Sequence, residues 1–185
     1  MYSGSISIAD LPGGLDLQAT LESGQTYLWW REDGNCFEDD DPAGSTAWYR
    51  TTARDPDTGE RGVLRARQYG GRLEWEGTVD AGPVLTRRLR LEDDLPAIRG
   101  EAPEDDHLLA RSYDAYWGMR LVAEPVFPTL VTFICSAQMR VERIHDMQQA
   151  LRTAFGDPLS FRGETVRTYP APEAIAAASE ARLRD

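Results

Sequence analysis

Lysine is absent from this 185-residue sequence, and all 20 of its basic residues are arginines. The two cysteines, Cys36 and Cys135, give neither a disulfide framework nor the spacing of a zinc site, and His107 and His145 lie far apart without a matching acidic motif. No run of 18 apolar residues is present, and the first residues, "MYSGSISIAD", lack the pattern of a signal peptide. These absences predict a cytoplasmic monomer that uses no metal, cofactor or membrane.

The charge is strongly acidic, with 31 acidic residues and a formal net charge of −11. Residues 1–110 hold 22 acidic and 11 basic residues, whereas residues 111–185 hold 9 of each. A lysine-free, acidic composition is expected of a halophilic archaeon, and the acidic runs at 38–42, 91–94 and 101–106 are expected to be solvated surface. Acidity disfavours nucleic acid as a partner, because affinity for phosphate comes from cations. That electrostatic contribution is small in strong brine, so a DNA partner is not excluded.

Residues 1–90 have mostly the patterns of β-strands. Candidate strands are 3–8, 24–31 and 45–52, and two further β-prone runs flank Gly70-Gly71. A Gly-Gly pair between such runs predicts a two-residue hairpin. In the second arm Leu73 and Trp75 alternate with Arg72, Glu74 and Glu76, which predicts an antiparallel sheet with one face in solvent.

From about residue 104 the apolar period becomes helical. Helices are expected over about 103–118, 125–137, 141–155 and 172–184. The second is apolar enough that we expect it to be buried on most sides. The fold class is therefore α+β: an N-terminal antiparallel sheet domain over 1–103 and a second domain over 104–185 that is almost wholly helical.

Three stretches together resemble the 8-oxoguanine DNA glycosylase family, a group of helix-hairpin-helix base-excision repair enzymes: "SGQTYLWW" (23–30), "FICSAQMRVERIHDM" (133–147) and "LRTAFGDPL" (151–159). The family has Ser-Gly-Gln-Ser-Phe-Arg-Trp and Phe-Ile-Cys-Ser-Ser-Asn-Asn-Asn-Ile-Ala-Arg-Ile at these places. "GMRL" (118–121) and Tyr169-Pro170 also have counterparts, so the resemblance extends over nearly the whole chain. It implies a twisted antiparallel sheet like half of the TATA-binding-protein fold, followed by the first helices of an all-α glycosylase domain.

The resemblance assigns Gly24 and Gln25 to recognition of the damaged base. In the family, the carbonyl of the glycine in Ser-Gly-Gln accepts a hydrogen bond from N7 of the flipped base. Oxidised guanine carries a proton there and ordinary guanine does not, so one acceptor can distinguish the two. From the residues alone, Gly24 is also consistent with a plain turn or bulge glycine.

The resemblance assigns the corner between two helices to the DNA strand left behind. Gln138 matches the residue that fills the hole left by the flipped base, and Arg143 matches the one that contacts the orphaned cytosine. Met139 and Arg140 replace asparagines, and would act as an apolar wedge and a phosphate contact. The residues alone also fit an ordinary interhelical turn with Arg143 paired to Asp146. These departures from the family pattern leave open which base is preferred opposite the lesion. They also leave open that the chain is related to glycosylases that remove alkylated purines. Gly24 and this corner are expected on one face, within one nucleotide's reach.

The family's nucleophile has no match in this sequence. The resemblance implies a lysine amine that attacks C1′ and forms a Schiff base with help from an aspartate, both in a helix-hairpin-helix region beyond the last residue here. We therefore assign no catalytic residue, and we expect an N-terminal part of a DNA glycosylase and AP lyase that is inactive alone. Its expected partner is double-stranded DNA containing an oxidised purine. A complete damaged-DNA-binding module, a split half completed in trans by the missing C-terminal half, and a degenerate remnant stay open.

Overall fold

Two compact units make up the chain, Met1–Glu124 and Pro125–Asp185. The computed structural model describes residues 1–36 and 46–184. The acidic run predicted as solvated surface at 38–42 lies outside the described residues. The domain limits of 1–103 and 104–185 were drawn from the change in sequence character, and they stay a prediction.

A five-stranded antiparallel sheet forms the base of the first unit. Its order is β1-β5-β4-β3-β2, and every neighbouring pair is antiparallel. The strands are β1 (Tyr2–Ser7), β2 (Trp30–Arg31), β3 (Tyr49–Arg54), β4 (Arg61–Tyr69) and β5 (Arg72–Gly77). With the helices that follow, this confirms the predicted α+β fold class.

The predicted Gly-Gly hairpin joins β4 to β5. Tyr69 lies opposite Arg72 in the ladder, and Gly70 and Gly71 at the tip have φ values of +57° and +74°. This is the conformation that selects glycine in a two-residue turn. The prediction is confirmed.

The predicted alternation along β5 is also confirmed. Leu73 and Trp75 are buried, whereas the carboxylates of Glu74 and Glu76 lie on the other face. There Glu74 pairs with Arg67 at 2.8 Å and Glu76 with Arg65 at 3.0 Å. The two guanidinium groups also lie over the indole ring of Trp48, at 4.6 Å and 4.1 Å from its centroid. Cross-strand pairs and stacked arginines thus occupy the outer face of the sheet.

In the described residues the first unit also has four α-helices: α1 (Leu17–Glu22), α2 (Ala81–Arg88), α3 (Leu95–Gly100) and α4 (His107–Ala115). Each begins after an aspartate whose side chain accepts a hydrogen bond from a backbone N–H of the first turn: Asp16, Asp80, Asp94 and Asp106. Such caps contribute about 1 kcal/mol each. Asp94 lies in a run that we predicted as surface only, and α1 to α3 were not predicted. Helix α2 contacts β1 and β5 and buries Ala81, Val84 and Leu85.

The aromatic stretch 24–31, predicted as a strand, is mostly a loop, and this prediction was wrong. Only Trp30 and Arg31 pair with β3. The side chains of residues 26–29 are nonetheless buried. They are held by side-chain hydrogen bonds rather than by strand pairing. Their β-prone composition therefore predicted that they are buried, but it predicted the wrong backbone conformation.

The second unit begins with the two helices predicted from the apolar period, α5 (Val126–Cys135) and α6 (Val141–Phe155). A small antiparallel hairpin follows, β6 (Pro158–Phe161) and β7 (Glu164–Arg167), and then two short helices, α7 (Pro172–Ala176) and α8 (Glu180–Arg184). The hairpin contradicts the expectation of an almost wholly helical second part, and the last predicted helix is broken into two. The hairpin buries Phe161 and Val166.

Helix α5 is not buried on most sides, which corrects the sequence prediction. Its exposed apolar side chains are 54% to 83% accessible: Val126, Leu130, Phe133 and Ile134. The apolar composition of α5 therefore predicted its burial wrongly. Over the described ranges, the helices all fall short of the length and apolar character that a membrane span requires.

Candidate functional site

Gly24 lies at the first bend after α1, in the loop formed by residues 23–29. It is exposed and has a φ of +83°. A Cβ built there would meet nothing closer than the Tyr27 hydroxyl at 3.8 Å. The requirement for glycine is therefore the left-handed backbone and not a lack of space. An exposed glycine in this conformation leaves the peptide group beside it free of a covering side chain.

Gln25 holds loop 23–29 against residues 118–124, a segment that we call the strap. Its Nε2 donates to the backbone carbonyl of Arg120 at 3.1 Å and to Ser23 Oγ at 3.0 Å. Its Oε1 accepts from the backbone N–H of Val122 at 3.2 Å. The amide thus bonds the strap at two points. The predicted contact of Gln25 with a base stays a prediction, and the structure adds a supporting role.

Glu124, at the end of the strap, was not found by sequence reasoning. One oxygen of its carboxylate, Oε1, accepts from Thr26 Oγ1 at 3.1 Å and from Trp29 Nε1 at 2.8 Å. The other, Oε2, lies 3.7 Å from Arg88 Nη1. The Glu124 side chain is only 4% exposed. Burial lowers the pKa of Arg88, and the Glu124 carboxylate opposes that shift. The only sequence signal was a glutamate before Pro125 between apolar residues.

Arg120 anchors the strap from inside the first unit. Its fully buried guanidinium donates to four backbone carbonyls, those of Pro12, Gly14, Arg90 and Asp93, at 2.8 to 3.1 Å. Its backbone N–H donates to Thr20 Oγ1 at 3.0 Å. Burial lowers the pKa of Arg120. Arg120 belongs to the "GMRL" phrase of the resemblance, which gave no hint of this role.

Gly118 explains why the strap can approach α1 so closely. It has a φ of +91°, and a Cβ there would lie 2.9 Å from the backbone nitrogen of Asp16. That nitrogen donates to the Gly118 carbonyl at 2.8 Å. Any side chain would therefore separate the two backbones and disturb the start of α1.

The predicted corner, residues 136–140, connects α5 to α6 in the second unit. Gln138 has a φ of +58°, uncommon for a residue other than glycine. Met139 donates from its backbone to the Ser136 carbonyl at 3.2 Å, which closes the turn. Gln138, Met139, Arg140 and Arg143 are all exposed. The turn therefore presents all four predicted DNA contacts to solvent.

Three of these four side chains are polar, and none of the three has a partner among the described residues. In the part of the chain that the structure describes, the side chains of Gln138, Arg140 and Arg143 make no hydrogen bond or ion pair. The alternative in which Arg143 pairs with Asp146 is therefore not seen among these residues. Free donors on an exposed helix start are available to phosphate or to a base edge.

Beneath the corner, Tyr169 ties α6 to the rest of the second unit. Its hydroxyl donates to Oε1 of the fully buried Gln148 at 2.8 Å, and its ring meets that of Phe127 edge-on at 6.5 Å. Burial raises the pKa of Tyr169 and of the nearby Cys135 thiol, so both stay protonated at neutral pH. Tyr169 is the residue of the Tyr-Pro pair noted in the resemblance.

Gly24 belongs to the first unit and the corner to the second. Their expected placement on one face stays a prediction. In the described ranges, 1–36 and 46–184, acidic, histidine and cysteine side chains form no group of three or more that could hold a metal ion.

Two curated relatives are similar to nearly the whole chain. One is a probable N-glycosylase/DNA lyase of Methanothermobacter thermautotrophicus, 26% identical over 175 residues, which cover 94% of this chain and 53% of that protein. The other is the N-glycosylase/DNA lyase of Saccharomyces cerevisiae, 26% identical over 182 residues, which cover 92% and 45%. No protein-family model matches the chain.

Solved structures give the same fold. MBOgg1 in complex with a low affinity DNA ligand superposes with a TM-score of 0.75 at 23% identity, covering 98% of this chain and 56% of that one. The 8-oxoguanine glycosylase/lyase of Clostridium acetobutylicum, bound to double-stranded DNA containing cytosine opposite 8-oxoguanine, gives 0.71 at 20% identity, covering 92% and 53%.

The predicted resemblance to the 8-oxoguanine DNA glycosylase family is confirmed. The chain spans about half the length of the curated glycosylase/lyases that it matches. A 3-methyladenine DNA glycosylase of Archaeoglobus fulgidus shares the fold as well, with a TM-score of 0.68 at 17% identity over 100% of this chain and 60% of that one. The fold is thus common to glycosylases of two lesion classes, and the two relatives in sequence are both named N-glycosylase/DNA lyases.

Proposed function

We propose that this chain supplies the lesion-reading surface of a base-excision repair glycosylase for oxidised purines. The observation that carries the proposal is Gly24: an exposed glycine in a left-handed conformation, at the Ser-Gly-Gln position, in a loop bonded to the strap by Gln25. A carbonyl at such a position can accept the N7 proton of 8-oxoguanine. A site built for one hydrogen bond discriminates against the base that lacks it.

The corner supplies the second half of the proposal. Gln138 and Met139 enter the space vacated by the flipped base, and Arg140 and Arg143 contact phosphate and the opposite base. The support for these contacts is that all four side chains are exposed and that the three polar ones have no partner in the described ranges 1–36 and 46–184. Unstacking one base costs a few kcal/mol, and an inserted apolar side chain recovers part of that energy. Double-stranded DNA with an oxidised purine is the proposed partner, in keeping with the cytoplasmic location predicted from the sequence.

The family's chemistry requires a lysine amine, and these 185 residues contain no lysine. A lyase step through a Schiff base needs an amine, and the only one here is the N-terminal amine of Met1, since arginine stays protonated and cannot act as one. We therefore propose that this chain binds the lesion but neither excises the base nor cleaves the strand by itself.

The proposal is tested with two duplexes that differ only by 8-oxoguanine or guanine opposite cytosine. We expect tighter binding to the lesion, measured at several salt concentrations, and no DNA adduct after borohydride reduction. Gly24→Ala serves as the matched variant that should lose the preference. Equal binding to both duplexes would overturn lesion reading, and a borohydride-trapped band would overturn the argument from the missing lysine.

A further inference from the structure

Loop 23–29 is held by a closed ring of polar groups that includes Glu124. Glu124 Oε1 accepts hydrogen bonds from the Thr26 hydroxyl at 3.1 Å and from the Trp29 indole N–H at 2.8 Å. A single oxygen therefore fixes the separation of two residues on either side of Leu28. Thr26 and Trp29 are each 3% exposed, so these bonds are made away from solvent.

The ring closes through Leu28 on its other side. The Thr51 hydroxyl donates to the Leu28 carbonyl at 2.9 Å, and Arg88 Nη1 lies 3.5 Å from that hydroxyl and 3.7 Å from Glu124 Oε2. The Leu28 backbone N–H donates to Thr26 Oγ1 at 3.1 Å. Residues 26, 28 and 29 are thus each fixed by a separate bond, and the loop has little freedom to shift along the strap.

A buried charge pair is a poor way to gain stability. Desolvation offsets much of the attraction, and replacement by well-packed apolar groups is often neutral or favourable. A carboxylate with directed acceptor sites does provide geometry, because its hydrogen bonds weaken steeply when their angles change. The hydrogen bonds of Glu124 therefore fix the positions of Thr26 and Trp29 more than they stabilise the fold.

We infer that Glu124 is a positioning residue for lesion readout. Its buried carboxylate fixes Thr26 and Trp29, and through them the orientation of Gly24 two residues before Thr26. The inference rests on the proposed function of Gly24. Glu124 itself is buried and does not touch the DNA.

The test removes each donor with Thr26→Val, which also removes the acceptor of the Leu28 N–H, and with Trp29→Phe, which also leaves a small cavity. Matched controls are Thr168→Val, a buried threonine of the second unit that accepts one backbone N–H, and Trp75→Phe, a buried tryptophan of β5. Glu124→Gln is a third variant. It leaves the Arg88 charge buried without a carboxylate partner, and the variant could fail to fold for that reason. In that case Thr26→Val and Trp29→Phe alone test the role of Glu124.

Two measurements are made on each protein. Hydrogen exchange in the free chain follows the amides of residues 24–29, and titrations give the ratio of dissociation constants for guanine and 8-oxoguanine duplexes. We expect Thr26→Val and Trp29→Phe each to speed exchange in this loop about tenfold, the factor that one neutral hydrogen bond is worth. The lesion preference should fall several-fold, and both controls should keep the exchange of the loop and the preference of the wild type.

The outcomes separate this inference from the proposed function. A wild-type preference that survives in both donor variants would overturn the role of Glu124, whether or not exchange changes. A wild-type chain without any preference would overturn the proposed function, and this inference with it, before any variant is made.

Discussion

The side-chain amide of Gln25 donates a 3.1 Å hydrogen bond to the backbone carbonyl of Arg120, 95 positions further along the chain. Its carbonyl oxygen accepts from the Val122 backbone N–H at 3.2 Å. The amide therefore pairs with the strap much as a neighbouring strand would. Only a side chain that carries both a donor and an acceptor, and is long enough to reach the strap, can make both bonds. This is a structural reason for the glutamine next to Gly24.

Gln25→Ala should destabilise the first unit. It removes both bonds to the strap and leaves the Val122 N–H without its partner, for which we expect a loss of about 1–3 kcal/mol in the free energy of unfolding. Urea denaturation measures it. Gln138→Ala is the control, because that glutamine is exposed and should change stability by less than about 0.5 kcal/mol. Equal losses in the two variants would contradict the supporting role of Gln25.

Gly24→Ala should reduce lesion preference through backbone strain. The φ of +83° is unfavourable for alanine by about 1–2 kcal/mol, although the space for a Cβ is open. Gly34→Ala is a closely matched control, since Gly34 has a φ of +84° and no atom within 4 Å of a built Cβ. Both variants should lose similar stability in denaturant titrations. Only Gly24→Ala should lower the ratio of guanine to 8-oxoguanine dissociation constants, and a similar fall in Gly34→Ala would remove the special role of Gly24.

The elements predicted well were those specified by local pattern. The Gly70-Gly71 turn and the alternation of Leu73 and Trp75 define a hairpin without reference to the rest of the chain. The apolar period of α6 likewise needs only its own residues. Helices α1 to α3 were missed because six to eight residues carry too little periodicity, although an aspartate marks each of their starts.

The residues proposed to contact DNA could be predicted from the sequence, but the residues that hold them in place, Glu124 and Arg120, could not. Gly24 and Gln138 could be assigned by resemblance because they lie in short, contiguous motifs. The partners of Glu124 are 95 and 98 positions away, and those of Arg120 up to 108, so no local pattern contains them. Burial of a charged side chain is decided by the tertiary structure, and composition favours the opposite expectation.

Arg120→Met should destabilise the first unit more than any variant above. It keeps much of the side-chain volume but leaves four backbone carbonyls without their buried donor. We expect a loss of more than about 3 kcal/mol in the free energy of unfolding. Arg111→Met on exposed α4 is the control and should be nearly neutral. Chemical denaturation followed by tryptophan fluorescence makes the comparison, and a loss below about 1 kcal/mol for Arg120→Met would contradict the anchoring role.

The second unit should lose stability in mild acid because of His145. Burial lowers its pKa below the ordinary value of 6.5, with Arg152 acting in the same direction and Asp146 opposing it. The contribution of neutral His145 is complete above about pH 6.5 and is lost as the pH falls through its lower folded pKa. Between about pH 7.5 and 5.5, the free energy of unfolding should therefore fall less in His145→Gln than in the wild type. Identical slopes in the two proteins would contradict the assignment.

Arg143 should contribute to DNA affinity through its charge and to the choice of the opposite base through its guanidinium. The guanidinium is exposed and has no partner among residues 1–36 and 46–184, so binding a phosphate or a base edge breaks no internal contact. For Arg143→Gln we expect the slope of log K against log salt to decrease by up to about one. Arg111→Gln removes the same charge from α4 and should leave the slope unchanged. Because Arg143 is proposed to contact the opposite base, its variant should also lose discrimination among the four bases opposite 8-oxoguanine. A variant that retains both wild-type properties would show that the corner does not contact DNA at Arg143.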